Sequence, residues 1–598
     1  MPQLHAWLAF AVFLVSTCSG KIYNDISGIH AERYDFIIAG GGTGGLVIAN
    51  RLSENPNVSV LVVEAGVSNE GVKEIQVPFF CTRASPQTLY DWNYTTVPQQ
   101  ALNSRALSYN RGHVLGGSSS TNFMIYTRGS SEDYDRIANI TGDPGWSWDN
   151  LQPYILRNER LTPPADGHNT TGQVDPSIHG HNGINPDSLP GYPTPMDDRI
   201  IKATQELSAE FPYNVDYNSG AHLGIGWGIA AIFNGTRSSS ATSYLGPQYA
   251  ARRNLDVILN TRVTRVFMKR KAPNSPLRID AVEVAATTQG LRKRIGVNKE
   301  AILSAGSIGS PQILMNSGIG NAAALEKLGI PSVVHNPSVG QNLSDHPIVG
   351  NIWVVNETRT WEEMTRNATK EAEYYELWRT KRQGPLVNTV TTQLGWHRVP
   401  DGSGIFGMNG SKDPAAGPNT AHFELVFANG FRGTPPPTGN YMTIATVVVA
   451  PSARGSVELT SSDPFSPPTI NPNLLGTESD MSIMKYAIQA ARRFASASAW
   501  NGYILEAYSG TNPTTDEEID VFIRNNTRSI YHPVGTASMS AKDAGYGVVD
   551  PDLNVKGVDG LRVVDASVFP YIPSAHTHVP VYILAERGAQ IIKDTWNL

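Results

Sequence analysis

The chain has 598 residues, 17% of them charged, and its formal net charge is −6. This length can supply more than one domain and a large hydrophobic core. Because lysine and arginine are neither in excess nor gathered in one dense run, the composition argues against a nucleic-acid-binding protein.

The first twenty residues have the pattern of a secretory signal peptide. Trp7–Val15 is apolar but too short to span a bilayer, and Ser16–Gly20 is small and polar, as expected near a cleavage site. No later stretch is long and apolar enough to cross a membrane. We therefore expect a secreted, extracellular protein without a membrane anchor.

Cysteines and asparagines give two further expectations. Cys18 lies in the predicted signal peptide, so the mature chain would keep only Cys81 and form no internal disulfide. Cys81 is expected to be a buried small hydrophobic residue. No cysteine–histidine cluster has zinc spacing, so no metal site is predicted. Several N-x-S/T sequons favour a glycoprotein, among them Asn93, Asn169, Asn234, Asn342, Asn356 and Asn367.

The stretch Tyr34–Glu64 carries the strongest chemical signal in the chain. Phe36–Ala39 is an apolar run that predicts a buried strand. It is followed by glycines at G-x-G-x-x-G spacing, a helix that continues through Leu46–Leu52, and a second apolar run, Val58–Val63. Strand, glycines, helix, strand and acid in this order predict a dinucleotide-binding unit.

Each residue of this unit has a physical role. Gly40 permits a tight turn, Gly42 lets a pyrophosphate approach the backbone, and Gly45 lets the helix pack on the strand. The helix start offers free N–H groups to phosphates, and Thr43, within the glycine motif, is predicted to contact the cofactor. Glu64 can accept hydrogen bonds from ribose hydroxyls. The alternative is a glycine-rich turn in a nucleotide-free α/β protein, and the spacing alone does not choose between NAD and FAD.

A second glycine- and serine-rich loop spans Tyr109–Asn122. Such a loop presents backbone N–H groups and hydroxyls, which suit contact with a phosphate or a flat ring. The alternative is an ordinary solvated loop. The residues predicted to contact the cofactor here are Gly116, Gly117, Ser118 and Asn122.

Five later segments have clear patterns. We predict strands of an inserted sheet at Val257–Leu259 and Val263–Met268, and a second strand–turn–helix unit at Ala301–Gly320 whose helix starts at Pro311. A charged surface helix is predicted at Glu362–Lys381 and an amphipathic helix at Ser482–Ala495. The strands of an antiparallel sheet are predicted within Tyr441–Asn473.

With these segments in view, the chain resembles the glucose–methanol–choline (GMC) oxidoreductases from about Tyr34 to Lys593. The motifs that carry the resemblance are the glycine unit, GHVLGGSSSTN, SAGSIGSPQILMNSGIG, HPVGTASM and NVKGVDGLRVVDASVFP. Within the family it is most similar to secreted fungal aryl-alcohol oxidases and pyranose dehydrogenases. The resemblance implies FAD, not NAD, and an α/β fold. It further implies a doubly wound, Rossmann-like FAD domain interleaved with a substrate domain built on an antiparallel sheet with helices.

The resemblance also suggests domain boundaries. Residues 1–20 form the signal peptide, and residues 31–340 and 530–598 form a discontinuous FAD-binding domain. Substrate-domain insertions are expected around residues 160–225, and residues 341–529 form the substrate-binding domain.

By the same resemblance, His532 is the general base and His576 its partner. A neutral imidazole can accept the hydroxyl proton of an alcohol near working pH, and a second imidazole can stabilise the developing alkoxide. His578 lies two residues from His576, so strand alternation cannot separate them. The family position favours His576.

Further roles follow from the resemblance. Tyr109 and Tyr531 are expected in the substrate pocket, and Asp565, Ala566 and Val263 at the cofactor. Some family members attach FAD to a histidine in the glycine–serine loop. The corresponding stretch here, Ser120–Asn122, has none, so we predict non-covalent FAD.

The expected activity is oxidation of a small-molecule alcohol, with dioxygen reduced to hydrogen peroxide, by a protein expected to be a monomer. The alternative is a pyranose dehydrogenase that reduces quinones. Less favoured readings are a hydroxynitrile lyase, which keeps the flavin without redox chemistry, and a catalytically silent flavin-binding protein.

Overall fold

The computed structural model describes residues 21–270, 272, 275–407 and 412–598. The predicted signal peptide lies outside these residues. Within them, no helix has both the length and the apolar character needed to cross a membrane. Cys81 is fully buried, as predicted, and burial raises the pKa of its thiol to about 12.

The first of two large sheets has eight strands. Its centre is parallel, and its strands are nearly continuous apolar runs because both faces are buried. In spatial order the strands are Ile22–Tyr23, Leu255–Ile258, Val60–Val63, Arg33–Ala39, Lys293–Leu303, Leu277–Ala285 and Arg262–Arg270, with Leu561–Val563 pairing beside Lys293–Leu303. The predicted α/β fold is confirmed.

One expectation about this sheet was wrong. The segments predicted as an inserted sheet, Val257–Leu259 and Val263–Met268, belong to the first sheet itself. Leu255–Ile258 pairs in parallel with Val60–Val63, and Arg262–Arg270 forms the antiparallel edge. The strand Ile22–Tyr23 lies at the other edge of the same sheet, where it pairs in parallel with Leu255–Ile258.

The second sheet is antiparallel and has seven strands. The helix Glu478–Ala495 packs on it and covers one apolar face. In spatial order its strands are Ile504–Ala507, Pro347–Val355, Tyr441–Val448, Phe423–Ala428, Gln393–His397 and Gly224–Trp227, with Arg528–Ser529 pairing beside Pro347–Val355. Of the predicted Tyr441–Asn473 strands, Ser456–Glu458 and Thr469–Asn471 form a separate two-stranded sheet.

The first and last long helices pack together, although they come from opposite ends of the chain. Thr43–Leu52 follows the glycine turn, and His578–Trp596 closes the fold beside it. Other helices of at least ten residues are Ser131–Thr141, Trp148–Asn158, Asp197–Glu206, Gly306–Asn316, Ala368–Lys381 and Asp516–Asn526.

Two predicted helices have different boundaries. The predicted Glu362–Lys381 helix is split into Glu362–Thr365 and Ala368–Lys381, because the side chain of Asn367 accepts backbone N–H bonds and starts a new helix. The helix predicted from Pro311 begins at Gly306 instead. Pro311 cannot donate to the carbonyl of Ser307, which accepts the hydroxyl of Thr536 at 2.6 Å.

A buried group of charges joins strands and loops outside the large sheets. Glu159 accepts hydrogen bonds from Arg128 and, at 2.9 Å, from His179 Nδ1. His179 Nε2 lies 2.8 Å from Asp216. Burial opposes its charge, but the bonds to Asp216 and Glu159 raise the pKa of His179 to about 9.

Replacing Glu159 with glutamine should strongly destabilise the fold. Removing one partner of a buried ion pair leaves the remaining charge unpaired and costs about 3–5 kcal/mol in the free energy of unfolding. The shift of the urea denaturation midpoint measures this loss. The control is Glu373→Gln, which breaks an exposed pair with Lys370 and should change stability by less than about 1 kcal/mol. Equal effects of the two substitutions would contradict the prediction.

Candidate functional site

The two glycine loops meet backbone to backbone at the end of the first sheet. The amide of Gly116 donates to the carbonyl of Gly41 at 2.8 Å. Gly117 has a φ of +53°, and a Cβ on it would lie 2.8 Å from Gly42 Cα. These approaches exclude side chains, so both loops expose backbone N–H groups at the same place.

The first loop also fixes the helix that follows it. Gly40 has a φ of +106°, and a Cβ there would lie 2.4 Å from the carbonyl oxygen of Ser304. A Cβ on Gly45 would lie 2.0 Å from the carbonyl oxygen of Gly40. The helix beginning at Thr43 can therefore approach the strand ends only because these positions are glycines.

Glu64 follows the strand Val60–Val63 and braces the first glycine loop. Its Oε2 accepts the amide of Gly41 at 2.8 Å, and its Oε1 accepts the amide of Gly66 at 2.7 Å. Burial raises the pKa of Glu64 to about 7, although these backbone bonds oppose the shift. Contact with a ribose stays a prediction, since both oxygens already hold the turn.

One cavity of about 790 Å³ extends from the glycine loops to the histidines. Gly45 and Gly116 lie outside its lining and act as close-packed spacers. The predicted site residues that line it are Gly40, Gly42, Thr43, Glu64, Gly117, Ser118, Asn122, Val263, Tyr531, His532, Asp565, Ala566 and His576.

Tyr109 does not line this cavity, so the expectation that it contacts substrate is not supported by its position. Its two-residue strand pairs with Tyr94, and its ring packs in a cluster with Ile308 and Leu343. Burial, followed by the charge of Asp345, raises the pKa of Tyr109 well above its usual range. Tyr109 is a packing residue behind the cavity wall.

Asp565 joins two turns at the end of the first sheet. Its Oδ2 accepts the amide of Gly306 at 2.9 Å and the hydroxyl of Ser310, while its Oδ1 accepts the amide of Ser567 at 2.8 Å. This carboxylate fixes the turn containing Ala566 against the helix Gly306–Asn316. Both turns therefore form a rigid part of the cavity wall.

His532 lies between two other histidines. Its Nδ1 is 3.0 Å from Nδ1 of His346, and its ring centroid is 4.8 Å from that of His576. The backbone amide of His532 donates to Asp345 Oδ1 at 2.8 Å. Burial, followed by the charges of His576 and His346, lowers the pKa of His532 well below its usual range. This environment therefore favours the neutral form of the His532 imidazole.

His576 is paired with a buried carboxylate. Its Nε2 lies 3.0 Å from Oε1 of Glu424, and its backbone amide donates to the hydroxyl of Thr127 at 2.8 Å. Glu424 is fully buried and lies in the strand Phe423–Ala428. The carboxylate therefore fixes the orientation of the imidazole ring.

His578 also lines the cavity, but its neighbours differ. Its ring packs against Tyr126 and Tyr582, with centroids 6.1 and 5.3 Å away. Burial lowers the pKa of His578 to about 3. The ring of His576, and not that of His578, lies against His532. The alternation of residues along the chain could not distinguish these two histidines.

Tyr531 has a φ of +66°, a strained conformation for a bulky residue. Arg111 donates to its carbonyl, and its amide donates to Ser529 Oγ at 2.6 Å. These bonds hold the conformation that aims Tyr531 and His532 into the cavity.

Sequence reasoning missed His346 and Glu424. A signal for His346 was available, since it precedes Pro347 as His532 precedes Pro533, and both dipeptides lie near the cavity. Glu424 could have been noticed as an acid within the apolar run of Phe423–Ala428. Its contact with His576 joins distant parts of the chain, so spacing could not reveal it.

Comparison with known proteins supplies the class. Two family profiles, both described as GMC oxidoreductase, match residues 34–348 and 451–585. The chain belongs to this family and is an FAD-dependent oxidoreductase acting on CH–OH groups.

Individual relatives are similar over nearly the whole chain. Dehydrogenase eriK of Hericium erinaceus is 39% identical over 606 residues, covering 99% of this chain and all (100%) of that protein. Pyranose dehydrogenase 3 of Leucoagaricus meleagris is 40% identical over 579 residues, covering 94% of this chain and 93% of that protein. The structure of a fungal aryl-alcohol oxidase superposes with a TM-score of 0.79 at 26% identity, covering 95% of this chain and 100% of that one.

The cavity fits the dinucleotide that the family binds. The side-chain-free contact between Gly42 and Gly117 leaves backbone N–H groups for a pyrophosphate, and Glu64 lines the end expected for the adenosine. Asp565 and Ala566 also line the cavity.

Replacing Gly117 with alanine should abolish or greatly weaken FAD binding. The new Cβ would press on Gly42 Cα and separate the two loops. The ratio of flavin absorbance to protein absorbance after purification measures the loss. Gly142→Ala is a matched control, because Gly142 also has a positive φ, +70°, but a Cβ there would meet nothing within 4 Å. Full flavin content in Gly117→Ala would contradict this account.

Proposed function

We propose that this protein is a secreted FAD-dependent alcohol oxidase in which His532 removes the hydroxyl proton of the substrate. The observation that carries the proposal is the position of His532, which faces the cofactor cavity between His346 and His576. An imidazole kept neutral by burial is suited to accept a proton.

The hydrogen bond to His346 selects the reacting nitrogen of His532. When Nδ1–H of His532 donates to Nδ1 of His346, 3.0 Å away, Nε2 is the nitrogen left to accept the substrate proton. The bound FAD supplies the redox chemistry by accepting the hydrogen of the alcohol carbon as hydride. The substrate leaves as the corresponding carbonyl compound.

His576 supports the same step from the other side. With Nε2–H donated to Glu424, its Nδ1 is free to bind the substrate oxygen. That nitrogen would hold the substrate hydroxyl in place, and a proton on it would stabilise the developing alkoxide. This arrangement orients the alcohol between the two imidazoles.

Secretion rests on the apolar run Trp7–Val15 and on the sequons. Non-covalent FAD rests on the absence of histidine from Ser120–Asn122. As the electron acceptor of the lead proposal we name dioxygen, which would give hydrogen peroxide.

A second candidate is a dehydrogenase that reduces a quinone. It is favoured by the names of relatives that are 38–40% identical to this chain and are called pyranose dehydrogenases. Visible spectra of the holoenzyme, mixed without dioxygen with an aromatic alcohol or a pyranose, would test both candidates. Bleaching followed by rapid recovery in air supports an oxidase, and slow recovery hastened by a quinone supports the dehydrogenase. A flavin bleached by no alcohol would contradict both.

His532→Ala should lower kcat/KM by a factor on the order of 100 or more while FAD stays bound, because the proton acceptor is lost. Stopped-flow reduction of the flavin provides the rate, and the visible spectrum confirms the bound cofactor. His30→Ala, which changes an exposed histidine, is the control and should react as the unaltered enzyme does. An unchanged rate in His532→Ala would remove this residue from the mechanism.

The pH profile should show no loss of kcat/KM between about pH 8 and about pH 5. A base must be neutral to accept a proton, and a lowered pKa keeps His532 neutral as the pH falls through the ordinary histidine value. Stopped-flow measurements in buffers of constant ionic strength would give the profile. An acidic limb centred near pH ~6.5 would show that the base titrates as an ordinary histidine.

A further inference from the structure

Two arginines line the cavity without a partner. Arg432 and Arg528 both contribute to its wall, and neither guanidinium group forms an ion pair or hydrogen bond with another described residue. The other arginines of the wall differ in this respect. Arg111 donates to the carbonyls of Asn110 and Tyr531, and Arg262 lies 4.3 Å from the ring centroid of Trp92.

The two unpaired arginines are brought to the same part of the wall by the strand Pro347–Val355. Arg528 pairs with Ile348 across the second sheet. Gly350, two residues along and therefore on the same face, is close to the other arginine, since a Cβ on it would lie 4.0 Å from Arg432 Cδ. Burial and the positive charge of Arg528 lower the pKa of Arg432 to about 10, although Tyr531 raises it. Arg432 nevertheless stays charged at neutral pH.

The loop carrying Arg432 is held in place. The backbone amide of Phe431 donates to Oε1 of Glu362 at 2.8 Å. The ring of Phe431 packs against Tyr441 and Tyr508, with centroids 5.1 and 5.3 Å away. Glu362 also lines the cavity, but this bond engages its carboxylate with the loop backbone. The guanidinium group is therefore presented by an anchored segment.

Tyr531 connects this positive region with the reacting groups. It lines the cavity, it lies close enough to Arg432 and Arg528 for their charges to act on its pKa, and it precedes His532. The guanidinium groups of the partly buried Arg432 and the exposed Arg528 repel each other, because neither has a counter-ion among the described residues. A bound anion would relieve that repulsion and accept charge-assisted hydrogen bonds.

We propose that the substrate is an alcohol that carries a carboxylate, with the carboxylate bound by Arg432 and Arg528 and the hydroxyl directed to His532 and His576. This inference deepens the proposed function and rests on it for the oxidation itself. The arginines position the substrate and take no part in proton or hydride transfer. Neutral alcohols would enter the same cavity but lack this anchor.

The experiment compares alcohols that differ only in charge. The 3- and 4-(hydroxymethyl)benzoates are each paired with their methyl esters, and flavin reduction in the holoenzyme is followed without dioxygen. Charge-assisted bonds should favour the better acid over its ester in kcat/KM by a factor on the order of 10 to 100. Arg432→Gln and Arg528→Gln should remove this preference by lowering kcat/KM for the acid much more than for the ester, and Arg432→Lys should keep part of it.

Two further measurements complete the test. Arg379→Gln, which removes an exposed arginine paired with Glu376, should keep the preference of the unaltered enzyme. Calorimetric titration with benzoate, which cannot be oxidised, should show binding that weakens in Arg432→Gln and at higher salt.

The outcomes separate this inference from the proposed function. Equal oxidation of acids and esters, or equal losses for both in Arg432→Gln, would overturn the anion site and leave alcohol oxidation standing. If no alcohol reduced the flavin, the proposed function would fail. Benzoate binding would then decide the anion site, which stands if binding depends on Arg432 and falls if it does not.

Discussion

The close approach of two glycine loops is the constraint on which the cavity depends. Gly42 and Gly117 come so near that a single methyl group would separate them. Their contact places two sets of backbone amides on one side of the first sheet. Glu64 and Asp565 then hold the surrounding turns by accepting backbone N–H bonds. The positions of the two loops are thus set by the lack of side chains between them, and the two carboxylates hold the adjoining turns in place.

The histidines illustrate how burial sets chemical roles. His532 and His346 lie together, and no described carboxylate is bonded to either ring; burial, followed by the charge of His576, lowers the pKa of both. His576 differs because Glu424 lies beside it. Equivalent side chains a few ångströms apart thereby have different hydrogen-bond partners, which suits one to accept a proton and the other to bind the substrate oxygen.

The sequence predicted the family, the α/β fold and FAD because these depend on local signals. Glycine spacing reflects steric rules that act within a few residues, and the family motifs are contiguous. The sequence did not show which sheet each strand joins, because this depends on distant pairings such as that of Leu255–Ile258 with Val60–Val63. For the same reason the contacts of His346 and Glu424 were missed. Tyr109 was misplaced because a tyrosine near a motif can face either side of a short strand, and packing with Ile308 and Leu343 decides which.

The pairing of the first and last long helices has a consequence for biosynthesis. Thr43–Leu52 emerges early from the ribosome, whereas its partner His578–Trp596 and both proposed catalytic histidines emerge last. At a synthesis rate of about 5–20 residues per second, the apolar face of the first helix stays without its packing partner for tens of seconds. Truncated chains would expose this face and lack the final histidines. Incomplete chains would therefore be inactive, and chaperones could recognise their exposed apolar surface. The fold can be completed only when synthesis of the chain is complete.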